Sequence, residues 1–255
     1  MSLADLAVRI ELARQLIDAA DAITVLTGAG ISTDSGIPDF RGPNGLWTKN
    51  PEAEKTSDIR YYVADPDLRQ RNWAARVAGA IWADREPNDG HRALVRLEER
   101  GKLHTLITQN VDGLHQKAGS DPARIVEIHG TTKGAMCLSC DWRGDIEAVL
   151  ARVRDGEADP HCTECGGILK SATISFGQAL VAEDLERAAV AAEECDLFLA
   201  IGTSLAVYPI ASTVPIAKKA GAGLVIVNNE PTEFDPVADV VLQASITEVL
   251  PRIVD

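Results

Sequence analysis

Four of the five cysteines are arranged in two Cys-x-x-Cys pairs, Cys137 with Cys140 and Cys162 with Cys165. The 21 residues between the pairs allow four thiolates to surround one zinc ion in a closed tetrahedral site. Such a site is structural, because no coordination position stays open for water. A redox dithiol is the alternative interpretation.

A histidine, His129, ends the short apolar run 125–128, directly before Gly130. A neutral imidazole at the end of a strand can act as a general base near pH 7. A purely structural histidine is the alternative, and this residue alone does not decide between them. The other four histidines lack a comparable setting; they are His91, His104, His115 and His161.

A glycine-rich turn follows the β-branched run 23–27. Its residues are Gly28, Ala29, Gly30, Ile31 and Ser32. Two glycines let the backbone turn sharply and approach a pyrophosphate, whose charge the amides of the next helix would face. A plain strand-to-helix turn is the alternative. Thr33 replaces the third glycine of the dinucleotide fingerprint, and no acidic residue ends a clear second strand about 20 residues later, so an ordinary dehydrogenase is disfavoured.

Polar residues follow further apolar runs, at the carboxyl ends of strands where α/β sheets bind ligands. Gln109, Asn110 and Asp112 offer amides and a carboxylate that can bind a carboxamide or ribose hydroxyls. Helix capping by Asn110 or Asp112 is the alternative. Two similar groups are Gly202, Thr203 and Ser204 after 197–201, and Asn228, Asn229 and Glu230 after 224–227.

Short apolar runs alternate with helical patterns, which predicts an α/β fold with a mostly parallel sheet buried on both faces. The expected strands are 23–27, 106–108, 125–128, 197–201, 224–227 and 237–242. The expected helices are an amphipathic one within the first 20 residues and those at 67–81, 91–100, 145–154, 183–194 and 209–220.

Two stretches interrupt this alternation, at 32–103 and 131–171. The first begins as a loop rich in turn residues and becomes helical; the second carries both cysteine pairs. We interpret both as insertions into one large domain. That domain would then be discontinuous and consist of residues 1–31, 104–130 and 172–255.

Composition excludes several classes of protein. Hydrophobic residues make up 45% of the 255 residues and charged residues 25%, which opposes global disorder. The net charge of -13 opposes nucleic-acid binding, no apolar run approaches the roughly 18 residues of a membrane span, and residues 1–5 lack a signal-peptide pattern. Because paired Cys-x-x-Cys motifs suit a reducing compartment, we expect a cytoplasmic protein. The remaining Cys195 is interpreted as a small buried hydrophobe. The sequence sets no oligomeric state, and a monomer is compatible with it.

In combination, these motifs resemble the sirtuin (Sir2) family of NAD-dependent protein deacylases. The motifs, in chain order, are GAGIS, GIPDFRG, TQNVDGLH, IHG, the two Cys-x-x-Cys pairs, ISFG, GTSLAVYP and VNNE, spanning about residues 20–252. The resemblance implies a Rossmann-like parallel sheet with a smaller inserted domain, made of a zinc module (131–171) and a helical module with the cofactor loop (32–103). It also implies NAD as co-substrate, one structural Zn²⁺ per chain and acyl-lysine proteins or peptides as substrates.

The resemblance assigns roles to individual residues. His129 would be the base, with Asn110 and Asp112 also in the catalytic site. The residues implied to bind NAD are Gly28, Ala29, Gly30, Ser32, Asp39, Phe40, Arg41, Trp47, Gln109, Asn110, Asp112, Gly202, Thr203, Ser204, Asn228, Asn229, Glu230 and Ile246. The residues implied to bind substrate are Phe176, Gly177, Val207 and Tyr208 on strands that sandwich the peptide, and Trp73 and Arg76 in the acyl pocket.

The family reaction implies nicotinamide, O-acyl-ADP-ribose and free lysine as products, with His129 accepting a proton from a ribose hydroxyl. Mono-ADP-ribosyl transfer is the alternative that shares the NAD site. A non-catalytic sensor of NAD or ADP-ribose is the alternative from another class.

Two positions depart from the family pattern. Trp73 and Arg76 stand where desuccinylating relatives carry a Tyr-x-x-Arg pair, and Gln178 stands where many relatives have Glu. The surrounding residues 69–76 are similar to the class II, mitochondrial-type sirtuins, whose preferred acyl groups are often longer than acetyl. A core tryptophan beside a solvent-facing arginine is the alternative for the first pair.

Overall fold

The computed structural model describes residues 3–79 and 84–255 and is built around a six-stranded parallel sheet. Its strands are β1 (Ile23–Thr27), β2 (Leu103–Thr108), β3 (Ile125–Glu127), β7 (Leu197–Ile201), β8 (Gly223–Val227) and β9 (Val240–Leu242). A smaller antiparallel sheet consists of β4 (Gly130–Cys137), β5 (Arg143–Asp145) and β6 (Leu169–Thr173). The strand orders are β3-β2-β1-β7-β8-β9 and β5-β4-β6.

The carboxyl ends of the central strands lie level with one another. Thr27 at the end of β1 is opposite Thr108 on β2 and Ile201 on β7, and Ile201 is opposite Val227 on β8. The sheet order changes direction between β1 and β7, which is where parallel α/β sheets form their ligand crevice. The residues that follow these four strands are therefore brought to one edge of the sheet.

Alternate residues of the strands enter two separate hydrophobic cores. Val25 and Leu199 lie on one face and Leu26 and Ala200 on the other, all completely buried. One face is covered by α1 (Leu3–Ala19), α6 (Asp89–Glu99) and α11 (Ile246–Val254), and the other by α9 (Ala182–Glu194) and α10 (Thr213–Ala220). The predicted α/β fold with a sheet buried on both faces is therefore confirmed.

The remaining helices are α2 (Leu46–Lys49), α3 (Pro51–Thr56), α4 (Ile59–Ala64), α5 (Pro66–Val77), α7 (Leu114–Ala118) and α8 (Ile146–Arg154). Of the predicted helix 67–81, α5 ends at Val77, because Gly79 adopts a left-handed conformation (φ +69°); residues 80–81 lie outside the described part. The predicted helix 209–220 begins as a 3-10 turn at Ile210–Ser212, and the predicted strand 237–242 is shorter, with a 3-10 turn at Asp235–Val237.

Among residues 3–79 and 84–255, no helix combines the length and the apolar character needed to cross a membrane. Residues 1 and 2, which entered the prediction about a signal peptide, lie outside the described part.

The smaller sheet packs with α5 and α8 around a third hydrophobic cluster that contains Trp73, Val149 and Leu169. Helix α6, in contrast, contributes Ala93 and Leu94 to a core of the large sheet. The division into modules at residues 31, 103, 130 and 171 stays a prediction, and this packing associates α6 with the large sheet.

Candidate functional site

The glycine-rich turn after β1 packs directly against the turn after β7. A Cβ atom on Gly30 would lie 2.7 Å from Cα of Gly202, and one on Gly28 would lie 2.7 Å from the Gly202 carbonyl oxygen. Gly202 itself has a φ of +61°. Glycine is therefore required at all three positions for the two turns to meet at the carboxyl edge of the sheet, where α/β folds bind their ligands.

The amides of this turn differ from the expectation. Those of Gly28, Gly30 and Ile31 donate to the carbonyls of Ile201, Gly202 and Gly28, respectively. The next helix is a seven-residue 3-10 helix, Ala29–Ser35. These three amides hold the turns after β1 and β7 together and do not face a ligand. The glycines therefore allow the close approach of the two turns.

Ser32 connects the turn after β1 to the turn after β2. Its hydroxyl donates to Oδ2 of Asp112 (2.8 Å) and accepts from Nδ2 of Asn110 (3.2 Å). The Asn110 amide also donates to the Gly28 carbonyl (3.0 Å), and Leu114 N–H donates to Oδ1 of Asp112 (2.9 Å). Asp112 thus accepts from the first amide of α7 and also contacts Ser32, so an interaction with the helix start accounts for one of its two oxygens, and its role in the site stays a prediction.

His129 is oriented by a single hydrogen bond, from Nδ1 to the carbonyl oxygen of Gln109 (3.0 Å). A carbonyl only accepts, so Nδ1 carries the proton and the neutral ring presents an unprotonated Nε2. Burial lowers the pKa of His129, and the bond to Gln109 partly opposes this. The imidazole is therefore kept in the basic, neutral form that a general base requires.

The residues after β7 and β8 that the resemblance implies to bind NAD lie along the same edge of the sheet. The Gln109 amide donates to Oγ1 of Thr203 (2.9 Å), which joins the turns after β2 and β7. Ser204, Asn229 and Glu230 are exposed, and Asn228 donates from Nδ2 to the Glu230 carbonyl (2.7 Å). Ile246, in contrast, is buried in the core at the start of α11.

Two histidines that the sequence did not distinguish lie beneath this site. Nε2 of His91 is 3.5 Å from the Ser32 hydroxyl, and Nε2 of His115 is 3.0 Å from Oγ1 of Thr27. Their rings are 5.0 Å apart, and both are completely or almost completely buried. Burial lowers the pKa of His91 to about 4 and that of His115 well below its ordinary value. Both histidines are neutral and support the site from below. For His91, the local signal in the sequence was the capping box Asn88-x-x-His91.

The residues predicted to contact the peptide lie in two turn segments outside the named strands, contrary to the expectation that they lie on strands. Phe176 and Tyr208 are 40% and 58% exposed, and the Tyr208 hydroxyl donates to Glu233 (3.1 Å). Val207 is half-buried, and Gly177 has a φ of +81°. The Gln178 side chain accepts from the amide of Ser175 (2.9 Å), so this departure from the family pattern closes a local turn.

Trp73 is buried in the smaller domain, and Arg76, one helical turn further along, is half-buried. Trp73 is 1% exposed and packs with Ala135 and Leu169. Arg76 donates to the Ser171 hydroxyl (2.8 Å), so its guanidinium contacts β6, while the core tryptophan of the alternative interpretation is present. Burial lowers the pKa of Arg76. Their assignment to an acyl pocket stays a prediction.

The four paired cysteines converge in the smaller domain. The Sγ atoms of Cys137, Cys140, Cys162 and Cys165 lie within 4.8 Å of one another. Four thiolates at these separations match the edges of a tetrahedron of Zn–S bonds of about 2.3 Å. The donor set therefore fits a closed zinc site, and Cys195 lies apart from it and is buried.

A sequence profile of the Sir2 family matches residues 28–209. NAD-dependent protein deacetylase 2 of Streptomyces coelicolor is 48% identical over 231 residues, covering 91% of this chain and 95% of the relative. The NAD-dependent protein deacetylase of Rhodopseudomonas palustris is 44% identical, covering 94% of each chain.

Solved structures agree with these relatives. A Sir2 structure with a deacetylated peptide and 3'-O-acetyl ADP-ribose superposes with a TM-score of 0.85 at 33% identity, covering 96% of each chain. A Sir2 structure with a propionylated peptide has a TM-score of 0.83 at 31% identity and the same coverage. The profile match, the relatives and the shared fold together show that this chain belongs to the Sir2 family.

Proposed function

We propose that this protein is an NAD-dependent protein lysine deacylase that releases nicotinamide, O-acyl-ADP-ribose and free lysine. The observation that carries the proposal is His129: its Nδ1 is committed to the Gln109 carbonyl, which leaves Nε2 as a base at the carboxyl edge of the sheet. A base at this edge agrees with the deacetylase names of the relatives. A binding module would not require an imidazole with its basic nitrogen free.

The turns after β1, β2 and β7 would hold NAD, which supplies an electrophilic ribose carbon once nicotinamide leaves. Gly28 and Gly30 let the turn after β1 pack so closely on Gly202 that a Cβ atom at either position would overlap its backbone, which fixes the relative position of these two turns. Asn110 and Asp112, both tied to Ser32, would bind the nicotinamide end, and Thr203 the opposite side. His129 would accept a proton from a ribose hydroxyl through Nε2.

The zinc ion would stabilise the smaller domain and take no part in the reaction. Cys137 and Cys162 belong to the same hydrophobic cluster as Trp73 and Leu169. Strand β6 contains Leu169 and ends at Thr173, and the next residue, Ile174, donates its amide to the His129 carbonyl (2.8 Å). The zinc module is thereby connected to the backbone of the base.

Acyl-lysine peptides are the proposed substrates, and they would add a strand to the edges at Gly177 and Val207. Solved relatives include complexes with acetylated and with propionylated peptides, which supports short acyl groups as substrates. We also propose a cytoplasmic location, supported by five cysteines that form no disulfide among the described residues.

The test is to incubate the protein with NAD and a panel of peptides with acetyl-, propionyl- and longer acyl-lysine, and to identify the products by mass spectrometry. Deacylated peptide together with O-acyl-ADP-ribose is expected. Transfer of ADP-ribose to protein, or NAD that remains intact with every peptide, would contradict the proposal.

His129→Ala should bind NAD and lose at least about 100-fold in turnover, the usual scale of general-base catalysis. The matched control is His104→Ala, because His104 lies at the opposite end of β2 and faces Glu194 at 3.6 Å. That variant should keep full activity. Full activity in His129→Ala would remove this residue from the mechanism.

A further inference from the structure

Trp47 stands between the loop predicted to contact NAD and the strand predicted to contact the peptide. Its ring centroid is 4.7 Å from that of Phe40 and 5.3 Å from that of Phe176, with tilted planes in both cases. The Arg41 guanidinium lies 4.7 Å from the centroid of the Trp47 ring. Tilted aromatic pairs and a cation near the ring are favourable arrangements, so the four side chains form one continuous stack.

The backbone fixes both ends of this stack. Trp47 N–H donates to the Phe40 carbonyl (3.0 Å), which holds the loop against α2. Further along, Ile59 N–H donates to the Phe176 carbonyl, and Phe176 N–H donates to the Ser57 carbonyl (both 3.0 Å). The short segment from α2 to α4 is therefore hydrogen-bonded to the loop through Phe40 at one end and to the predicted peptide-binding segment through Phe176 at the other.

Trp47 itself is mostly buried, whereas its two aromatic neighbours are more exposed. It is 9% exposed, and its indole Nε1–H is buried without a partner among the described residues. Phe176 is 40% exposed and Phe40 is half-buried. The bridge is thus sheltered, and each end of the stack remains accessible to a ligand.

We propose that Trp47 couples the two binding events, so that NAD at the Phe40 end and acyl-lysine peptide at the Phe176 end strengthen each other's binding. This rests on the proposed function, which supplies the two ligands. Trp47 is a positioning residue in this role. It acts through Phe40 and Phe176.

The physical reason is the shared cost of ordering the stack. A peptide that adds a strand at Phe176 fixes this residue, and through the ring contacts it fixes Trp47 and Phe40. A dinucleotide that binds next then pays less to order the loop, which is positive cooperativity. Linkage requires the effect to be reciprocal: the dinucleotide must strengthen peptide binding by the same factor.

The experiment measures this factor by calorimetry. An acetyl-lysine peptide is titrated into the protein alone and into the protein saturated with ADP-ribose, which does not react, and the reverse titration checks reciprocity. We expect a coupling factor of about five-fold or more in the wild type. Trp47→Leu should reduce it to below about two-fold, because leucine keeps apolar volume but not the ring stack. Trp47→Phe should restore most of it.

Leu46→Ala is the matched control, because Leu46 is the neighbouring residue on α2 and is 36% exposed. It should retain the wild-type factor. Should Trp47→Leu fail to fold, Phe176→Leu breaks the stack from the other side, and its coupling factor is compared in the same way.

The outcomes separate the two proposals. If both ligands bind the wild type independently, or if Trp47→Leu keeps the wild-type factor, the coupling proposal is wrong and the proposed function is unaffected. If neither ADP-ribose nor the peptide binds the wild type, the proposed function fails and the coupling fails with it.

Discussion

The Ser32 hydroxyl donates a 2.8 Å hydrogen bond to the carboxylate of Asp112, across 80 positions of the chain. This contact joins the turns after β1 and β2, next to the point between β1 and β7 where the sheet order changes direction. Burial raises the pKa of Asp112, while the bonds from Leu114 N–H and Ser32 lower it in part. A carboxyl group whose pKa is raised by burial is typical of functional positions.

Asp112→Asn should therefore lose activity without losing stability. A carboxyl whose pKa is raised by folding stabilises the fold when protonated, and this contribution is lost as the pH rises through the folded-state pKa. At neutral pH the charged carboxylate therefore lowers the free energy of unfolding, and replacing it by asparagine removes this effect. We expect the free energy of unfolding to stay level or rise by up to about 1 kcal/mol, and turnover to fall about 100-fold.

Urea unfolding and initial rates at neutral pH measure these two quantities. Asp121→Asn is the control, because Asp121 is an exposed aspartate that caps a turn through Ala123 N–H. It should change neither activity nor, beyond about 1 kcal/mol, stability. A marked loss of stability in Asp112→Asn would show that the carboxylate is there to hold the fold.

The rate of deacylation should fall in acid with a midpoint below pH 6.5. Burial lowers the pKa of His129 from its ordinary value of 6.5, and only the neutral ring can accept a proton. The base is therefore active above its folded-state pKa and is lost as the pH falls through it. A profile of kcat/KM against pH measures the midpoint.

The residual activity of His129→Ala should lack this acidic limb. A limb that persists unchanged in the variant would assign the titration to another group, and a wild-type midpoint at or above 6.5 would contradict the effect of burial.

The large sheet could be predicted because its strands carry their own signal. Leu197–Ile201 and Ile23–Thr27 are buried along their full length, so each appears as an unbroken run of apolar and β-branched residues. The positions of Gln109, Asn110 and Asp112 followed from the rule that ligands bind at strand ends. The direction in which backbone amides point has no such signal, which is why the sequence could not show that the Gly30 and Ile31 amides donate to the Gly202 and Gly28 carbonyls.

The supports of the site could not be predicted, because they depend on contacts between distant segments. His91 reaches Ser32 across 59 positions, and Phe176 reaches Trp47 from the far side of the zinc module. The surroundings of Arg76 depend equally on β6, which supplies Ser171. Local patterns reveal which residues can do chemistry, whereas tertiary packing decides which of them are held in place.

The buried histidine pair should make the protein less stable in mild acid. His91 remains neutral in the fold with a pKa of about 4, whereas an unfolded chain takes up a proton near 6.5. Stability is thus fully present above 6.5 and is lost as the pH falls from there towards 4. At about 1.4 kcal/mol for each pH unit, the contribution of His91 amounts to about 3 kcal/mol.

His91→Asn should flatten this dependence, because asparagine does not titrate. Urea unfolding at about pH 7.5, 6 and 5 gives the slope for each protein. The control is His161→Asn, since His161 is exposed, in contrast to the buried His91. An equal slope in wild type and His91→Asn would mean that His91 is already protonated in the folded protein.

Zinc removal should abolish activity through the packing of the smaller domain, although the metal takes no part in the reaction. Cys140→Ala leaves three ligands, which lowers zinc content below one ion per chain, and a chelator should do the same to the wild type. We expect a lower melting temperature and loss of deacylation, because the cluster around Cys137 and Cys162 supports β6 and, through Ile174, the His129 backbone.

Cys195→Ala is the matched control, because Cys195 lies under α9 outside the cluster, and it should keep one zinc ion and most of the activity. Zinc content by elemental analysis, thermal unfolding and rate are measured on the same preparations. Full activity in a preparation shown to be free of zinc would contradict the connection from the metal to the base.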